Sequence, residues 1–156
     1  MTQEDKRGPG VRIPPPVIAL AVIGAAWAFD RVLPMPVADG DWLRWSGFAV
    51  IALAFLLAVV TLLHFLRAKT HVEPWRPTSA IIRGGPFRFS RNPIYLAFCI
   101  ASFGAGLALN SWWGIASVPL LAYLLHCFVI RREEAYLEKK FGEQYLSYRR
   151  EVRRWL

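Results

Sequence analysis

"NPIYLAFCIASFGAGLALNSWWGIASVPLLAYLLHCFVI", residues 92–130, runs for 39 residues without a charged side chain. A bilayer core takes about 20 apolar residues of helix, each rising about 1.5 Å. The stretch is long enough for two somewhat short spans joined by a tight turn at "LNSWWG" (109–114).

Two further runs flank this reading upstream. Trp45 to Leu66 is 22 residues without a charge, and Ile13 to Phe29 is 17, opening on Pro14, Pro15 and Pro16. Prolines suit the first turn of a helix, where their missing N–H has no partner to lose. The whole chain has 156 residues, 55% of them hydrophobic, with seven Trp and a net charge of +8. A soluble domain of this length can bury a core without several long uncharged runs. The pattern predicts an all-α integral membrane protein with four spans, about 14–30, 44–66, 94–109 and 114–131. It forms one membrane domain over 1–156, with a motif loop at 67–93 and a helical tail at 132–156. Lys6, Arg7 and Arg12 before a short apolar run ending in "AAWA" (25–28) loosely fit a secretory leader. Glu4, Asp5, the three prolines and three further spans oppose that reading, so the first span is expected to stay uncut.

Basic residues in short loops set orientation. Residues 67–93 carry Arg67, Lys69, Arg76, Arg83, Arg88 and Arg91 against Glu73, and the tail after Ile130 has eight basic residues against five acidic ones. Loop 30–44 is mixed and the 110–113 turn has no charge. Both termini and both basic segments are therefore expected on the cytoplasmic face. Cys99 and Cys127 fall inside spans, with no CxxC pair and no zinc spacing, and read as packing thiols.

Two polar clusters then share one face of the membrane. Gly84-Gly85-Pro86-Phe87-Arg88-Phe89-Ser90-Arg91-Asn92-Pro93-Ile94-Tyr95 leads into the third span, and Arg131-Arg132-Glu133-Glu134 leaves the fourth. A hairpin of similar-length helices brings them to one level. Adjacent carboxylates at a membrane helix end are costly unless paired or solvated. Taken alone they read first as an interfacial belt with Arg91, Arg131 and Arg132. The glycines permit close backbone approach, yet no GxGxxG or P-loop pattern is present.

This arrangement, Gly85 to Tyr95 followed by Glu133-Glu134-x-x-Leu137 and Phe141-Gly142-x-x-Tyr145-x-x-Tyr148, resembles the isoprenylcysteine carboxyl methyltransferase and phospholipid methyltransferase group. The resemblance covers about 67–156. It implies an integral membrane enzyme that uses S-adenosylmethionine to methylate a lipophilic acceptor, either an isoprenylcysteine-like carboxylate or a lipid. Asn92 departs from the group, which often has histidine there; an amide donates and accepts hydrogen bonds but carries no proton charge. The implied cofactor-binding residues are Gly84, Gly85, Arg91, Asn92, Tyr95, Glu133 and Glu134. Arg91 offers a planar fork for the cofactor carboxylate, and Glu133 or Glu134 an acceptor for its ammonium or ribose hydroxyls. The glycines would present backbone groups, while Tyr95 and Asn92 fix orientation. No particular residue is assigned a catalytic role. The motif region also resembles the C-terminal part of NADPH-dependent membrane sterol reductases, and a small membrane scaffold is the non-enzymatic reading.

Other features carry less. His64 and His126 lie in apolar spans and read as packed or helix-bonded, His71 as a loop residue, and the three show no metal-ligand spacing. In the tail, Leu137, Phe141, Tyr145, Tyr148, Val152 and Trp155 recur at steps of three and four, one apolar face of a basic amphipathic helix. Such a helix reads first as lying on an anionic membrane surface, and second as closing over the cofactor. The high isoelectric point is explained by orientation, so no nucleic-acid partner and no metal are expected.

Overall fold

A computed structural model describes residues 8–73 and 75–156; Glu4, Asp5, Lys6 and Arg7, weighed above for a leader, lie outside the described residues. Helix is the regular structure of the described residues, which include no strand. Helix α1 is Pro15–Val32, α2 Trp42–Arg67, α3 Pro93–Ala108 and α4 Trp112–Leu125. Each covers most of an expected span, because the uncharged run forms its body; α1 runs on through Asp30 and Arg31, and α2 takes in Arg44 and Arg67 at its ends. Helices α1 and α2, and the continuous helix opening with α4, are long and apolar enough to cross a membrane; α3, at 16 residues, is a shorter apolar helix.

The fourth helix does not stop at the end of its apolar run. It passes through a π-helical turn, His126–Ile130, into α5, Arg131–Phe141. A π turn inserts a residue into the α-helical register and so resets the face that follows it. Here it stands directly before the Glu133-Glu134 pair. Val129 and Ile130, inside the turn, are fully buried in a core shared by α1, α3 and α4.

Small residues set the closeness of the bundle. Helix α2 packs along α3, α3 against α4, and α4 against α1. A Cβ on Gly104 would lie 2.9 Å from the Gly47 carbonyl oxygen, and one on Gly114 2.5 Å from the Gly106 Cα. Only glycine lets these backbones touch, the usual way that helices gain van der Waals contact in lipid. The turn between α3 and α4 is tied to the α1–α2 connection. Asn110, at φ +51°, accepts from Val37 N (2.9 Å) and donates to Ala38 O (2.8 Å). Ser111 caps α4 and donates to Asp30 (2.7 Å).

The amphipathic tail is present, but it is two helices and faces inward. Gly142, at φ +52° and ψ −127°, breaks the chain between α5 and α6, Glu143–Glu151, and the backbone turns extended at Val152. The break turns the predicted apolar face onto protein. Leu137, Phe141, Tyr145, Tyr148 and Val152 pack with Phe65, Ile81, Ile82 and Phe87, and Trp155 joins the main core. The surface-lying reading of the tail is thereby corrected: its apolar stripe has a protein partner.

Candidate active site

A short 3₁₀ turn, Gly85–Arg88, hands the chain from the loop to α3, with Pro93 in the helix's first turn. Phe87 is buried edge-on to Phe65 of α2, and its carbonyl accepts from Tyr148 Oη at 2.7 Å. This pins the motif between α2 and α6. Beside it opens a cleft with about 840 Å³ of atom-free space, its mouth included, walled by residues of the motif loop, α3, α5 and α6.

Five of the seven residues expected to bind cofactor meet on that cleft: Arg91, Asn92, Tyr95, Glu133 and Glu134. Gly84 and Gly85 are not among its walls. Gly85 takes φ +58° and lies flat on the His64 ring, where any Cβ would collide with the imidazole. Its glycine identity is explained by that contact and that dihedral rather than by a ligand. His64 itself is helix-bonded, with Nδ1 2.8 Å from Val60 O. His71 is an exposed loop side chain 3.9 Å from Glu73, and both line the cleft.

The two adjacent carboxylates have different surroundings. Tyr95 donates from Oη to Glu133 Oε1 at 2.8 Å. Burial raises the Glu133 carboxyl to about 7, with Glu134 adding to the rise and the Tyr95 hydrogen bond opposing it. Glu134 is held by arginines. Arg154 donates through Nε to Oε1 (3.0 Å) and through Nη2 to Oε2 (2.7 Å), while Arg91 Nη2 lies 3.2 Å from Oε1. The Arg91 side chain is only 8% exposed. It also donates from Nη1 to Tyr145 Oη (3.2 Å), and its Nε is buried with no hydrogen-bond partner among the described residues. A buried donor left unpaired costs about 1–3 kcal/mol, so such groups mark a place for a missing partner.

Arg154 and the two tyrosines were not among the expected site residues. The C-terminal segment reaches the motif through its backbone: Arg91 N donates to Arg153 O (3.0 Å), Asn92 Nδ2 to Arg154 O (3.0 Å) and Ser90 Oγ to Arg154 O (3.3 Å). Asn92 is thus a buried clamp on the tail, which its amide can be without titrating.

The sequence profile of the phospholipid methyltransferase family matches residues 42–144, from the first residue of α2 into α6. The chain belongs to the phospholipid methyltransferase family. It is accordingly a membrane methyltransferase. The match holds the motif loop and both glutamates, whereas α1, Tyr145, Tyr148 and Arg154 of this methyltransferase lie outside it. An uncharacterized protein of Haemophilus influenzae is 44% identical over 63 residues, which is all of that protein and 40% of this chain.

Proposed function

We propose that this methyltransferase takes S-adenosylmethionine into the cleft and methylates a lipophilic acceptor, an isoprenylcysteine-like carboxylate or a lipid, that arrives from the bilayer. The observation that carries the reading is the buried, unpartnered Nε of Arg91, a residue that lines the same cleft as Glu133. The cofactor is zwitterionic, and the cleft sets a spare cationic donor near a carboxylate with one bonded oxygen. Arg91 suits the cofactor carboxylate, since a guanidinium matches that group in plane and in charge. Glu133, aimed by Tyr95, suits the ammonium or the ribose hydroxyls. Glu134, already forked by Arg154, serves as a counter-charge. Phe65, Ile81, Ile82 and Phe87 line the remaining wall and exclude water. When bound, the cofactor supplies the methyl group and a sulfonium leaving group. In-line transfer asks chiefly for alignment of the reacting atoms, and a cleft built by four elements provides fixed walls for it. The positive-inside pattern supports placing both termini and the cleft at the cytoplasmic surface of a single membrane domain.

Titration calorimetry with S-adenosylhomocysteine on detergent-purified protein tests the reading. Arg91→Ala and Glu133→Gln should each weaken binding roughly ten- to a hundredfold, the loss of one charge-assisted bond. Arg132→Ala should leave affinity unchanged, because Arg132 donates to Gly10 O at the surface. Absence of binding by the unaltered protein, or equal affinity in all three variants, would remove the cofactor assignment.

A further inference from the structure

We infer that Arg154 is a positioning residue: its two-point hold on Glu134 keeps that carboxylate off Arg91, and so leaves the Arg91 Nε–H free for the carboxylate of a bound ligand. The inference rests on the cofactor reading above and deepens it.

Glu134 is 12% exposed and faces two guanidiniums. Parallel donation from Nε and Nη2 is the strong geometry for an arginine on a carboxylate. Arg154 makes that pair of bonds, at 3.0 and 2.7 Å, and Arg91 reaches only Oε1 through Nη2 at 3.2 Å. Were Arg154 gone, Glu134 would hold a nearly buried charge with one cation left beside it. Arg91, already 3.2 Å from Oε1 through Nη2, would be the cation left to take up that parallel pairing and fill its Nε. The vacancy on Arg91 therefore exists because Arg154 already satisfies the competitor.

The chain also fixes where Arg154 stands. Ser90 and Asn92, both buried, donate to its carbonyl oxygen, and Arg91 N donates to the carbonyl before it. Trp155 anchors the next residue in the main core. Arg91 and the residue on either side of it thus hold the backbone that delivers its partner. The opposite arrangement, in which Arg154 is a placeholder that a ligand ammonium displaces from Glu134, makes the reverse prediction.

The full chain in detergent is titrated with S-adenosylhomocysteine, with melting curves recorded for every variant. Arg154→Ala should weaken binding about tenfold, and Arg154→Lys less, since one bond to Glu134 survives. The decisive variant is Arg154→Ala with Glu134→Gln, which should return to within about threefold of Glu134→Gln alone; a double-mutant cycle isolates the coupling. Without ligand, the Nε–H resonance of Arg91 in ¹⁵N-arginine-labelled protein should move downfield in Arg154→Ala and return in the double variant. Unchanged or tighter binding by Arg154→Ala overturns the inference, as does a loss that Glu134→Gln fails to relieve. If the unaltered protein binds no S-adenosylhomocysteine, the cofactor reading falls. The Arg91 resonance then decides the positioning role alone, a static Nε–H counting against it.

Discussion

Glu133 is the group whose charge decides how the cleft meets a cation. Its carboxyl sits at about 7 rather than 4.5, so the folded protein favours the neutral form. Two opposite pH effects follow. Between about pH 4.5 and 7 the folded state binds this proton more tightly than the unfolded chain does, so its contribution to stability is full at low pH and fades as pH rises through 7. A ligand ammonium needs the ionised form, so affinity should climb over the same range. From about pH 6 to about pH 7.5, below the pKa of an α-amino group, S-adenosylhomocysteine should bind close to tenfold tighter. Calorimetry across that range checks the slope, and Glu133→Gln should flatten it. At this scale the charge pattern alone read Arg91, Glu133 and Glu134 as an interfacial belt, because charge at the end of an uncharged run must be paired or solvated. It was the resemblance of the motif that gathered them with Asn92 and Tyr95 into one expected site. Arg154 entered neither reading. It lies 63 positions after Arg91, and no periodicity ties an arginine in a basic tail to one glutamate rather than to water. Gly84 and Gly85 were read for what glycine permits toward a ligand, while the dihedral and the His64 contact that account for Gly85 appear only in three dimensions.

Among the elements, the spans were legible because burial in lipid and burial in protein demand the same thing, a run without charge. Breaks inside helices were not. The apolar steps of the tail continue through Gly142 without a fault, and it is the positive φ at that residue that divides α5 from α6. Likewise nothing in "HCFVI" (126–130) announces a π turn, yet that turn decides which face of α5 carries the glutamates. Gly142 offers a clean test. A Cβ there would touch nothing within 4 Å, so Gly142→Ala adds strain without a clash. The expected cost is about 1–3 kcal/mol for a non-glycine residue in that region, measured as a lower melting temperature. Gly24→Ala, equally open but in the middle of α1, should hold or raise it. Equal effects at the two sites would mean that the α5–α6 turn does not depend on the dihedral.

The molecule as a whole is uneven in height. Helix α2 has 26 residues, about 39 Å of rise, and α3 has 16, about 24 Å. A hydrocarbon layer is about 30 Å thick. The long helix can lean; the short one cannot stretch, and its motif end is the wall of the cleft. Where α3 crosses the bilayer, lipid beside it would have to thin by roughly 6 Å to match its length. In phosphatidylcholine vesicles with acyl chains of about 14 to about 22 carbons, the melting temperature should be highest toward the short chains. A steady rise toward the longest would contradict the mismatch. Such a dimple would also change traffic at the site. A headgroup that sank with the thinned leaflet would come nearer the motif end of α3, so an amphiphilic acceptor would have less far to rise out of its monolayer.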